Sequence, residues 1–520
     1  MRPRPPALVI SLLFLLVLAV PWHAAAVGGD LDGGMVRVDG TRFVAGDGDR
    51  TVYLSGFNAY WLMEMASDPS RRGGVVSAFR QAKAHGLNLA RTWAFSDGGD
   101  NPLQSSPGVY HEHMFQGLDF VIAEARRHGI YLLLCLTNNF DDFGGKRQYV
   151  QWAREDITAG AGAGGRNLTS ADDFFNSTLV KSYYKNHVKV IINSFITTPH
   201  VCHILLRTCQ FDDLKPNDVS FSTYVRVTQT VLTRVNTVTG VAYRDDPAIF
   251  GWELMNEPRC GAEPTGAMVQ AWVEEMAPYL KTIDAAHLVT AGLEGFYGDG
   301  AHESKELNPW SIYYGTNFVA THQAAGIDFA TIHLYPDVWL WGSTADQQAR
   351  FFRNWTASHV RDTERHLRKP LLVTEYGKFL WEEGGENATS ATQRRDGFLG
   401  MVLDTIYESA SKGGPLVGGA FWQLLLDGDG MDALKDGYQI VLPEDARAAS
   451  IISDHSEKMA ELSKQDAAMA GRRWSRSEPR KIGRFGSWGD AHPYVQRFLL
   501  RFVSLFRSVS SLFDWSRVAS

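Results

Sequence analysis

Eight short apolar, β-rich runs recur along this chain and constrain its fold more than any other feature. They are Val52 to Phe57, Leu87 to Ala94, Ile130 to Leu136, Ile249 to Met255, His287 to Leu293, Phe329 to Leu334, Pro370 to Thr374 and Val417 to Leu424. Their starts lie mostly about 35 to 47 residues apart, the length of a strand–helix unit with a generous loop. Strands buried on both faces read as continuous apolar runs, as parallel strands do. Several stretches between them have helical spacing: Val76, Phe79, Ala82 and Ala84; Phe115, Leu118, Val121 and Ala125; Met268, Trp272, Met276 and Leu280. Eight such units predict an α/β chain folded as a (β/α)8 TIM barrel, with chemistry at the C-terminal ends of the strands. A doubly wound sheet is the alternative, but no glycine-rich fingerprint sits at the first strand–helix turn. Ahead of the runs, Met35 to Val44 alternates around Asp39-Gly40 and predicts an N-terminal β-hairpin.

The ends of the chain read differently. Residues 1–26 have the pattern of a signal peptide: Arg2 and Arg4, an apolar run from Ala7 to Val20, then Ala24-Ala25-Ala26. The run is shorter than the ~20 residues a spanning helix needs. The expectation is therefore a secreted, extracellular protein of the cell wall. The sequons at Asn167, Asn176, Asn354 and Asn387 agree with it. Residues 455–520 form a basic C-terminal extension, in which Lys and Arg outnumber Asp and Glu two to one. Phe498, Phe502, Leu505, Val509 and Leu512 make a helical stripe there. A basic amphipathic helix could contact membrane or pectin, and a poorly ordered terminus or a docked helix is the plainer reading. That leaves 27–454 for the barrel.

Composition narrows the partners. With 58 Asp+Glu against 51 Lys+Arg, the formal charge is −7, which argues against nucleic acid. Fifteen Trp and 18 Tyr suit sugar stacking, though large cores use them as well. The cysteines are Cys135, Cys202, Cys209 and Cys260, too few for a disulfide scaffold. Cys135, inside an apolar run, reads as a small buried hydrophobe. No Cys/His cluster has zinc spacing, so neither a metal nor a cofactor is expected.

One interval breaks the rhythm. The third and fourth runs are separated by more than twice the usual spacing, and residues 190–229 within it show no clear period. Removing them joins Val188 to Leu232 and Val235 on one helical face. Two readings stand: a genuine loop insertion, which loop-closure entropy tolerates, or a retained intron. Peptides containing Cys202 or Cys209 would exclude the second.

Two runs end in glutamate-bearing motifs, Trp252-Glu-Leu-Met-Asn-Glu257-Pro and Leu372-Val-Thr-Glu375-Tyr-Gly. Each motif places a carboxyl at the barrel mouth, on roughly opposite sides. Glycoside hydrolysis needs such a pair, one protonated as acid and one ionised.

With Asn88-Leu-Ala-Arg-Thr-Trp-Ala-Phe-Ser-Asp-Gly-Gly, Asn138-Asn-Phe-Asp-Asp-Phe-Gly-Gly, Gly292-Leu-Glu-Gly-Phe-Tyr-Gly, Asp328-Phe-Ala-Thr-Ile-His-Leu-Tyr-Pro-Asp and Phe421-Trp-Gln-Leu, these motifs resemble the plant endo-β-1,4-mannanases of glycoside hydrolase family 5. The resemblance covers most of residues 35 to 455. It implies a retaining endo-hydrolase of mannan, glucomannan and galactomannan, with transglycosylation as a further activity. It also implies Glu257 as acid/base and Glu375 as nucleophile. Arg91 would hold Glu375 ionised, and Asn256 would bind the sugar 2-hydroxyl. His333 and Tyr335 would be polar partners of nucleophile and sugar, Trp422 a stacking floor, and Trp93 a further substrate contact. Trp310, Trp339, Trp341 and Trp381 are candidates for outer subsites. A cellulase-like hydrolase of another β-glycan is the competing activity. A non-catalytic glycan-binding or misfolded product is the other alternative, should the insertion disrupt the barrel.

Overall fold

A computed structural model describes residues 31, 34–46, 50–160, 168–188, 234–298, 303–309, 314–380, 388–428 and 431–476. The signal-like segment, residues 190–229 with Cys202 and Cys209, the sequons at Asn167 and Asn387, Trp310, Trp381 and the amphipathic stripe lie outside the described residues. The chain divides into two units, Met1–Ala467 and Ala468–Ser520.

In the first unit the eight barrel strands are Leu54–Asn58, Leu89–Trp93, Tyr131–Cys135, Ile249–Glu253, Leu288–Thr290, Ala330–Leu334, Leu371–Tyr376 and Leu416–Phe421. Every residue in them is buried, which is why each reads as a largely apolar run. All neighbours are parallel, and the ladder runs fifth, fourth, third, second, first, eighth, seventh, sixth. The seam between fifth and sixth is closed by Asp328 N–H donating to Val289 O at 2.8 Å and His333 N–H to Glu294 O at 2.9 Å. The result is the predicted barrel.

The hairpin pairs Arg37–Asp39 with Arg42–Ala45 around Gly40, whose φ of +60° the turn requires. Its Phe43 is fully buried and meets the edges of Phe250 and Phe329, at 5.0 and 5.5 Å between ring centroids, near the starts of strands four and six. The first apolar run is divided, contrary to the sequence reading. Val52 pairs with the hairpin strand, and the barrel strand begins at Leu54. Helix Arg72–Ala84 keeps Phe79 and Ala82 of its predicted face but not Val76 or Ala84. It buries Val75, Ala78, Phe79 and Ala82, while Ala84 is exposed. Both valines at 75–76 fit the period, so spacing alone could not choose between them.

Val235 does not continue the helix Thr178–Val188 as the joined pattern implied. It forms an isolated antiparallel bridge with Ala242 and is 46% exposed. The reason lies in its neighbours. Arg234 forks onto buried Asp119 with bonds of 2.9 and 2.8 Å, and Thr237 and Tyr243 donate to the same carboxylate. Asn236 accepts from the N–H groups of Val238 and Thr239, an Asx turn that bends the chain.

Helix Ala446–Arg476 runs through the sequence boundary at 454/455. Met459 and Leu462 are buried in the core, and Tyr53 O–H donates to Asp466 at 2.7 Å. Of the sequons described, Asn176 and Asn354 are exposed, but Thr356 of the second is buried within a helix. Helix Leu62–Ser67, just beyond the first strand, lies against helix Glu112–His128 at Gly117. A Cβ there would stand 2.5 Å from Met63 O and 2.7 Å from Ser67 N. Gly117→Ala is therefore expected to cost about 1–3 kcal/mol in urea unfolding, despite alanine's better helix propensity. An unchanged or increased stability would contradict this packing.

Candidate active site

Arg91, the third residue of strand two, is fully buried and organises the floor of the barrel mouth. Its Nη1 donates to Glu375 Oε1 at 2.6 Å and to Asn58 Oδ1 at 2.9 Å. Its Nε and Nη2 reach Glu253 Oε2 and Oε1 at 3.0 and 2.5 Å, and Nη2 also reaches Asn256 Oδ1 at 2.7 Å. One guanidinium thus serves two buried carboxylates and two amides, a use only its planar fork allows. The reading of the sequence paired Arg91 with Glu375 and missed Glu253 and Asn58. A signal for Glu253 was present, because a carboxylate ending an all-buried strand requires an ionic partner.

Glu375 stands in strand seven, and its second oxygen accepts from Tyr335 O–H at 2.7 Å. Glu257 lies four residues past strand four in the left-handed region, at φ +49°. A non-glycine residue persists there only where its surroundings over-determine it, and such positions cluster at functional sites. Here Glu257 N–H donates to Gly292 O at 3.1 Å, and Asn256 Nδ2 to Asn138 Oδ1 at 3.0 Å. The Glu257 carboxyl receives Arg259 Nη2 at 3.2 Å and lies 2.6 Å from His333 Nδ1. The same His333 nitrogen is 3.6 Å from Glu375 Oε2. An oxygen of each glutamate and a nitrogen of His333 all lie within 4.8 Å of one another. These three residues are also the group among the described residues whose atoms could reach a single cation. Arg91 and Tyr335 already occupy the two oxygens of Glu375.

Burial raises both carboxyls above the usual range. Arg259 and then Arg91 oppose it at Glu257, and His333 and then Arg91 at Glu375. Glu375 has the shorter charge-assisted bond and a phenol donor besides, so of the two it is the better held as a carboxylate. Burial lowers His333 below the ordinary imidazole value, and the neighbouring Glu375 charge opposes that shift.

Tyr60, Trp93, Asn138, Phe140, Asn256, Glu257, Tyr335, Glu375, Trp422 and Asp436 line a cavity of about 340 Å³ together with Asp142 and Phe143. Half-buried Trp422 anchors its Nε1 to Asp436 at 2.6 Å, and Tyr60 stacks near-parallel to it at 5.6 Å. Trp93 sits deeper, 4% exposed, with the Arg91 guanidinium 5.0 Å from its ring centroid. All eight residues singled out at the strand ends therefore converge here, directly on the cavity or on its two glutamates. The outer tryptophans do not share one fate. Trp339 is buried among Phe296, Phe351 and Trp355, so it is core rather than cleft wall. Trp341 is exposed and lines a neighbouring cavity of about 480 Å³ with Val338, Lys378 and Tyr438. Cys135 and Cys260 are buried free thiols.

Comparison with known proteins agrees with this geometry. The family described as glycoside hydrolase family 5 β-mannosidase-like matches residues 34–202 and 205–430. Mannan endo-1,4-beta-mannosidase 3 of Oryza sativa subsp. japonica is 66% identical over 485 residues, covering 92% of each chain. Mannan endo-1,4-beta-mannosidase 4 of the same organism is 64% identical, covering 94% of this chain and 96% of that one. Among solved structures, the endo-1,4-beta-mannanase from Rhizomucor miehei is 27% identical with a TM-score of 0.59, covering 82% of this chain and 99% of that chain. The endo-beta-1,4-mannanase from Thermotoga petrophila is also 27% identical, with a TM-score of 0.58 and coverage of 78% and 77%.

Proposed function

We propose, for a chain that belongs to the glycoside hydrolase family 5 β-mannosidase-like family, that its endo-1,4-β-mannanase activity proceeds by double displacement with retention and serves mannan, glucomannan and galactomannan outside the cell. The observation that carries the mechanism is the close approach of the Glu257 and Glu375 oxygens, within 4.8 Å. Retaining pairs stand ~5–5.5 Å apart and inverting pairs ~6.5–9.5 Å, the larger gap making room for a water. Glu375, ionised by Arg91 and Tyr335, attacks the anomeric carbon while Glu257 protonates the departing oxygen. Glu257 then takes a proton from the water that releases the sugar from Glu375. Asn256, held by Arg91 and Asn138, is placed to bind the sugar 2-hydroxyl, and Trp422 offers its face beneath the ring. Proton NMR of the first product tests the stereochemistry. The β-anomer is expected, and the α-anomer would refute double displacement. Reducing-end release from mannan, glucomannan, galactomannan and cellulose separates this substrate range from a cellulase-like one. Secretion rests on residues 1–26 and is checked by the N-terminal sequence of protein recovered from the medium.

The carboxyl shifts also fix a pH dependence. Glu257 must carry its proton in the first step, so kcat/KM falls as pH rises through its raised pKa. Glu375 must be ionised, so the rate also falls at low pH. On mannan a bell is expected whose alkaline limb lies above the ordinary carboxylate range, and on an aryl substrate whose leaving group needs no proton that limb should be lost. Persistence of the limb on the aryl substrate would assign it to another group.

A further inference from the structure

The segment Gly292-Leu-Glu-Gly-Phe-Tyr-Gly after strand five has no part in the mechanism above, yet it holds a buried carboxyl beside the acid/base. Glu294 is 3% exposed and grips Arg259 with two bonds of 2.6 Å, from Nε to Oε2 and from Nη2 to Oε1. The same Nη2 reaches Glu257 Oε2 at 3.2 Å. We infer that Glu294 is a positioning residue for the acid/base: by engaging Arg259 from the far side it limits how much of that positive charge Glu257 feels, and so sets the pH at which Glu257 loses its proton. The inference rests on the assignment of Glu257 as acid/base.

The placement is tightly built. Gly292 at φ +84° and Gly295 at φ +110° bracket Glu294, and a Cβ on Gly292 would lie 2.1 Å from Met255 O. Glu294 O accepts from His333 N–H, tying this turn to the strand that carries His333. Arg259 is packed by rings, with Tyr314 at 4.9 Å and Phe140 at 5.3 Å from its guanidinium carbon. The side chain stays partly exposed, so the carboxylate pair and these rings hold the guanidinium from the protein side. The charged and titratable groups around Glu257 are Arg259 on its own loop, Glu253 ending strand four, Glu294 after strand five, Tyr314 beyond it, Arg91 of strand two, His333 and Tyr335 of strand six and its following turn, and Glu375 of strand seven. Arg91 is already divided between Glu253 and Glu375. Arg259 is the cation that Glu257 contacts directly, and Glu294 is its closest competitor. Burial, and then the like charge of Glu257, raise Glu294, while Arg259 opposes them by charge and hydrogen bond, as expected of two carboxyls sharing one guanidinium.

Glu294→Gln removes a negative neighbour and frees Arg259 for Glu257, and both effects favour the ionised acid/base. The test is kcat/KM against pH on a manno-oligosaccharide and on an aryl β-mannobioside whose leaving group needs no proton. On the oligosaccharide the alkaline limb is expected to move down by about one pH unit, a loss of about tenfold on that limb. On the aryl substrate little change is expected, a contrast that a merely structural brace would not produce. Glu294→Asp, which keeps the charge but withdraws it by one methylene, should give a smaller shift in the same direction. It also serves as the test if the glutamine variant does not fold. An unmoved limb with a uniform loss on both substrates would overturn the inference. A wild type inactive on every β-mannan would overturn the functional reading beneath it as well.

Discussion

Glu375→Ala is expected to lower kcat on mannan by roughly 10⁴-fold or more, the scale seen when a nucleophile is removed while binding survives. The loss should not be uniform across nucleophiles. Truncation to alanine opens the face of the sugar opposite the leaving group, where azide can attack the anomeric carbon as Glu257 protonates the departing oxygen. Azide should therefore restore turnover and give the α-glycosyl azide, of inverted configuration. Glu257→Ala should behave oppositely. It should lose natural substrates but keep the first step on an activated aryl glycoside, and azide should then give the β-product after Glu375 has been displaced. An alanine variant at 375 within tenfold of wild type, or an azide product of β configuration, would remove Glu375 from the nucleophile's role.

Arg91→Met is expected to be the most destabilising single change in the site. It leaves Glu253 and Glu375 buried without their shared cation, and removing one partner of a buried ion pair costs about 3–5 kcal/mol. The penalty should depend on pH with a definite sign. Burial already raises Glu375 above its unfolded value, and loss of Arg91 raises it further. A carboxyl raised in the folded state costs nothing below its unfolded pKa, and its penalty grows as pH rises through the window between the unfolded and folded values. The gap between variant and wild type in chemical unfolding should thus be larger at pH 8 than at pH 4. Activity should fall too, because a protonated Glu375 cannot attack. A variant within about 1 kcal/mol of wild type at pH 8 would mean that the buried charges are satisfied otherwise.

The eight strands were legible because burial on both faces keeps them largely apolar, and they recur at the spacing of a strand–helix unit. Glu257 and Glu375 were legible for the complementary reason: a charge at or just beyond the C-terminal end of an apolar strand falls where the barrel opens. Glu253, the last residue of strand four, was missed because it is followed at once by Leu254 and Met255, so its charge looks like an interruption of an apolar run. Glu294 was present in a quoted motif but gained meaning only once Arg259 was found between it and Glu257, 35 residues away in sequence from one and two from the other. The same limitation explains the errors. Helical spacing suggested that Val235 continued a helix, whereas Asp119, 116 positions earlier, holds Arg234 and Thr237 in a turn. Trp339 looked like a cleft residue by loop position, and packing against Trp355 makes it core.

By itself, the sequence determined the barrel, the hairpin beneath it and which strand ends carry carboxyls, because these follow from periodicities that local sterics and burial impose on neighbouring residues. Only the tertiary structure decided how charge is apportioned: that one guanidinium serves Glu253 and Glu375, that a second is divided between Glu257 and Glu294, and that the two central glutamates approach within 4.8 Å. Electrostatic energy in a buried site depends on distances of a few ångströms between groups from different strands, and no pattern along the chain encodes those distances.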